Sequence, residues 1–136
     1  MKRLANIYDA DLSLLFVRTL DCLSTEIDTY RAAFLTAPRD ELTNDIPYNN
    51  NYQLLLNATN QPFISLVLHL DGIGLSRSSK QSLWLLSCSL VELPPHLRIR
   101  RFNMPVLSVW IAKEAPNMNL WLEEIFRRLQ IVKEKG

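Results

Sequence analysis

Charge of one sign is the first thing this chain lacks. Its 15 basic residues stand against 14 acidic ones, for a formal net charge of +1. No global field therefore draws it to nucleic acid or to an acidic membrane, and any basic surface has to be local. Cysteine is scarce, with Cys22 and Cys88 alone. They lie far apart, each inside an apolar run, and read as two buried free thiols rather than a disulfide. No apolar run approaches the roughly 20 residues of a membrane-spanning helix. The opening MKRLANIYDADLSLLF carries Asp9 and Asp11 among its apolar residues and no small-residue cleavage site follows, so no signal peptide is read. The expectation is a soluble, intracellular protein with no membrane partner. Internal repeats and low-complexity tracts are missing too, and GIGLSRSSK lacks the Gly-Lys-Ser/Thr ending of a phosphate loop.

What is present fits one α+β domain, residues 1–136. With 48% hydrophobic and 21% charged residues the composition is globular, and a domain of this length buries roughly two-thirds of its unfolded surface. Residues 1–61 read as helical and loop cover, and residues 62–136 as a β-β-β-α unit.

From Asp11 to Leu35 the apolar residues Leu12, Phe16, Leu20, Leu23, Ile27, Tyr30 and Phe34 recur in steps of four and three, the period of a helix with one apolar face. Asp9 or Asp11 can cap its start, and Pro38 lies just past its end. Residues 36–61, with Pro38, Asn44, Pro47 and Asn49-Asn50-Asn51, read as loop with at most a helical turn near Tyr52–Leu56; the Asn run is either a solvated linker or a polar binding surface.

At Pro62 the pattern changes to a period of two, with Ile64, Leu66, Leu68 and Leu70 on one face and Ser65, Val67, His69 and Asp71 on the other. This strand, 63–70, is expected to stop at Asp71-Gly72, and Gly72 and Gly74 to let the chain turn into a polar tip at Ser76–Ser82. Leu83–Leu93 returns as a second strand ended by Pro94-Pro95, and Pro105–Ala112 makes a third by β-branched and aromatic content. A closing helix, capped by Asn117 or Asn119, carries the stripe Met118, Leu122, Ile125, Leu129 and Val132. Glu123–Arg127 and Glu124–Arg128 are spaced as favourable pairs, and Lys133 and Lys135 suit its C-terminal end. The fold class is therefore α+β: an N-terminal helix on a three-stranded, largely antiparallel sheet followed by a C-terminal helix.

Asp71 is the residue on which a chemical reading turns. A carboxylate at the end of an apolar strand must turn to solvent, find donors or hold a cation. Asp-Gly is a strong turn signal, and His69, on the same strand face, suits either a structural hydrogen bond or a base or ligand. His96, Arg98, Arg100 and Arg101 form a local basic cluster, either a solvated connection or a phosphate contact.

Taken together, LHLDGIGLSRSSKQSLW, VELPPHLR and APNMNLWLEEIF resemble a block in transposases of CACTA (En/Spm-like) eukaryotic DNA transposons. The resemblance rests on Asp71-Gly72, Ser78-Ser79, Trp84, Leu93-Pro94-Pro95 and Asn117–Asn119, and spans about residues 63–126. Trp84-Leu85 and Gly74-Leu75 depart from that block. The resemblance implies a partial RNase-H-like fold, a nuclear location and descent from a strand transferase whose carboxylate triad holds two Mg²⁺ ions about 3.5 to 4 Å apart at a scissile phosphate. Asp71 would be the vestigial first catalytic and metal-binding position, and Arg98, Arg100 and Arg101 the DNA contacts. With no second or third carboxylate placed before Gly136, the expectation is a truncated protein without enzyme activity and without a cofactor of its own. Any function left is binding: to DNA, or to another copy through the open edge of strand 63–70. The alternatives are a small interaction module of unrelated α+β fold and a metal-dependent nuclease assembled with a partner that supplies the missing carboxylates.

Overall fold

The structure is a computed structural model and describes residues 5–36, 45–75 and 80–135. The expectations at Pro38, Asn44, Ser78-Ser79 and Gly136 lie outside the described residues. Two interleaved compact units divide the chain, residues 1–18, 68–88 and 105–136 forming one and residues 19–67 and 89–104 the other.

The sheet has four strands, not three. In order along the chain they are β1 (Ala5–Asp9), β2 (Leu66–Gly74), β3 (Ser82–Leu90) and β4 (Val106–Ala112), and across the sheet they run β1-β4-β3-β2. β1 was not expected. It pairs antiparallel with β4, Ile7 opposite Trp110 and Asp9 opposite Ser108, while β3 pairs antiparallel with β4 on its other side, Trp84 opposite Trp110, with a register shift at Leu86/Ser87. The sheet is antiparallel throughout, and the class is α+β.

β2 corrects the reading of Asp71-Gly72. The strand starts three residues later than 63 and runs through Asp71-Gly72 to Gly74, so the pair is not a turn. The reason lies in packing: a Cβ on residue 72 would sit 3.0 Å from the Trp84 indole. Gly72 therefore serves the sheet by leaving room for that ring, a use of strand glycine that overrides the local turn signal. The hairpin is closed further out by Leu75 N–H donating to Gln81 O at 3.0 Å.

In the first unit, helix α4 (Met118–Lys135) meets β4 through Trp121. Asn117 is its cap, accepting from the N–H of Leu120 at 3.3 Å. Trp121, which the stripe omitted, is its buried anchor together with Ile125. The Trp121 indole lies 5.8 Å from that of Trp110 and donates to Ser108 Oγ at 2.8 Å, and Ser108 Oγ donates in turn to Asp9. Arg127 pairs with Glu124 rather than Glu123, at 2.7 Å, and Arg128 bonds the same carboxylate at 3.1 Å. Those two guanidinium groups hold the Glu124 carboxyl down to about 2.

Helix α1 (Leu12–Thr36) opens under Asp11, whose Oδ1 accepts from Leu14 N–H at 3.2 Å. Each of its seven stripe residues is buried or half-buried. In the second unit that stripe makes two clusters: Ile27 with Leu90 and Leu93, and Phe34 with Tyr52 and Val91. Full burial of such side chains contributes roughly 1.5–3 kcal/mol each. The aromatics meet edge to face, Tyr30–Phe34 at 5.3 Å and Phe34–Tyr52 at 5.7 Å. Tyr52 comes from helix α2 (Asn50–Ala58), two turns where loop was expected, capped by Asn49 through Tyr52 N–H. A single turn, α3 (Pro95–Arg98), follows β3. Cys22 is exposed and Cys88 buried, both free, so only one thiol is inside as expected. No helix among the described residues is long and apolar enough to cross a membrane.

Candidate functional site

Two places answer to the residues singled out by sequence, and a third does not. The first is the β2 edge. β2 is the last strand in the sheet order, and its second half is exposed from Leu70 to Gly74. Leu70 is 41% and Ile73 54% exposed. Asp71 stands between them, also exposed. Among the described residues, no group of three or more His, Cys, Asp and Glu is placed to hold a metal ion.

The phase of the ladder shows which backbone groups this edge offers. Leu75 directs its N–H at Gln81, toward β3. In an antiparallel ladder inward and outward residues alternate. Ile73, Asp71 and His69 therefore point their N–H and C=O at β3, while Gly74, Gly72, Leu70 and Leu68 point theirs away from it. This is a row of backbone donors and acceptors beside apolar side chains, the arrangement that an added strand completes.

The second place is the basic cluster, which the structure separates. Arg98 is buried, 8% exposed. Its guanidinium meets Asp45 in a two-pronged pair at 2.6 and 2.8 Å and donates to the carbonyls of Leu90, Val91 and Leu93 at 3.2, 2.7 and 2.8 Å. Buried and bonded to Asp45 and three carbonyls inside the second unit, Arg98 is poorly placed for the phosphate contact expected of it. Arg100 and Arg101 are exposed, next to Phe102, 92% exposed, on a turn of 3₁₀ helix.

The third place was not singled out at all. Asp45 accepts from Arg98 and from the Tyr30 hydroxyl. Burial pushes its carboxyl up, but the bonds from Arg98, Tyr30 and the Ile46 backbone outweigh that and leave it below the usual range. Burial, with the carboxylate beside it, pushes the Tyr30 hydroxyl well up. Close by in sequence to Arg98, Glu92 is fully buried. It accepts from the Tyr52 hydroxyl at 2.9 Å and from Ser65 N–H at 2.9 and 3.1 Å. Burial and this carboxylate raise the Tyr52 hydroxyl too. Each carboxylate has hydrogen-bond donors, so both groups read as structural anchors that tie residues 30–65 to the segment after β3. A lone carboxylate inside Leu90-Val91-Glu92-Leu93 was the signal that could have found Glu92, since a charge in an apolar run must have donors waiting.

No family model, no curated protein and no solved structure matches this chain.

Proposed function

We propose that the chain is a non-catalytic protein-binding module that works by strand addition along the free edge of β2. One observation carries the reading: the terminal strand of the sheet presents outward backbone groups flanked by exposed Leu70 and Ile73. Native sheets usually blunt such an edge with lysine, proline or a covering segment. Here the described edge carries one charge, Asp71, and no proline. Descent from an RNase-H-like transposase is the ancestry we propose for the fold. The order β2, β3, β4, α4, with Asp71 on the first of these strands, supports it, and in that descent Asp71 is a vestige of a metal ligand.

The test is binding of lysine-capped peptides that alternate valine and threonine over nine residues, the length of β2, followed by fluorescence anisotropy. Saturable binding is expected, lost in Leu70→Pro, which removes one outward N–H while leaving the bonds toward β3 in place. Absence of binding, or binding unaffected by Leu70→Pro in a folded variant, overturns the reading.

A second reading, contact with DNA, is favoured by exposed Arg100 and Arg101 beside an exposed Phe102. Phosphate contacts make affinity fall steeply with salt. Duplex DNA binding that weakens with salt and drops in Arg100→Ala/Arg101→Ala would support it; affinity unchanged by that double substitution would end it.

A further inference from the structure

Resting on the strand-addition reading, we infer that the strand added to β2 is β2 of a second copy, antiparallel and centred on Leu70. The nine-residue strand Leu66–Gly74 has Leu70 at its midpoint, so a two-fold axis there pairs the whole strand with no overhang. Leu68, Leu70 and Gly72 all direct backbone groups outward by the phase of the β2–β3 ladder, and in this register each outward residue faces another outward residue. Leu70 meets its own copy and Leu68 meets Gly72. Isologous pairing of one strand with itself is the simplest closed symmetry.

Charge chooses between registers. Moving the axis one residue along, onto Asp71, would pair outward Leu70 with Gly72 and set two exposed carboxylates opposite each other in a non-hydrogen-bonded pair, where side chains lie closest, an unfavourable cross-strand arrangement. Placing the axis on Leu70 sets Asp71 opposite His69 instead. The register centred on Leu70 thus pairs the full length of the strand and keeps the two Asp71 carboxylates apart.

The experiment is disulfide trapping in the full chain, with exposed Cys22 changed to serine so that only buried Cys88 remains of the native thiols. Across the proposed axis residue 70 faces its own copy at about 5.5 Å between Cα atoms, within disulfide reach. Leu70→Cys is expected to form a cross-linked dimer under mild oxidation. Ile73→Cys, more exposed than residue 70 but opposite residue 67 in this register, is expected to stay monomeric. Sedimentation velocity of the unmodified chain is expected to show a concentration-dependent dimer that Leu70→Lys abolishes. Equal cross-linking at both positions, or a monomer at every concentration, overturns the proposal. A chain that stays monomeric yet binds the valine-threonine peptides loses the dimer and keeps strand addition; one that does neither loses both.

Discussion

Arg98 and Asp45 show what a single residue pair contributes here. The side chains are 10% and 9% exposed, and removing one partner from such a pair strands the other. Arg98→Met is expected to cost about 3–5 kcal/mol in urea unfolding, well beyond an exposed pair such as Glu124–Arg127. Asp45 also sets an acid response. Its folded carboxyl titrates below its ordinary value of 3.8, so the stability it contributes is present above about pH 4 and is lost as pH falls through the folded value. Asp45→Asn should flatten that part of the stability–pH curve; an unchanged acid limb would mean the pair is not formed. Glu92 makes a second comparison: Glu92→Ala leaves the Tyr52 hydroxyl and Ser65 N–H without an acceptor and is expected to cost about 2 kcal/mol more than Glu92→Gln. The thiols separate cleanly as well. Burial pushes Cys88 up to about 12, so an alkylating reagent at pH 8 is expected to modify one thiol per folded chain, at exposed Cys22, and two after unfolding.

At the scale of elements, what the sequence made legible follows from the range of the interactions involved. α1 and α4 were readable because a 3.6-residue stripe is local, β3 because its apolar run is ended by Pro94-Pro95, and β4 because its run is rich in β-branched and aromatic residues. β1 was not: four of its five residues are exposed, and its place comes from pairing with β4 across more than ninety residues of chain. α2 was obscured by turn-forming Asn49 and Asn50, yet Asn49 is its cap. Asn49→Ala should lower stability by about 1 kcal/mol, and a null effect would argue against the helix starting there. β2 was placed correctly in order but stopped too early, since the Asp-Gly signal is local and the Trp84 ring that outweighs it arrives from the neighbouring strand. The same limit hid most of the buried polar sites. Tyr30, Asp45 and Arg98 come together only in the folded second unit, whereas Glu92 left a trace in its own apolar run.

For the whole molecule, the central claim is that the β2 edge is a binding element rather than a passive margin. The claim is sharper than exposure alone, because the ladder separates neighbouring residues into two sets. Amide exchange followed by NMR reads both directly. In dilute protein, the amides of His69, Asp71 and Ile73 are expected to be protected by β3, and those of Leu68, Leu70 and Gly72 to exchange rapidly. As protein or peptide concentration rises, protection is expected to appear at Leu68, Leu70 and Gly72 while the inward set stays as it was. Persistent rapid exchange at those three amides under saturating peptide and at the highest protein concentration would contradict the account.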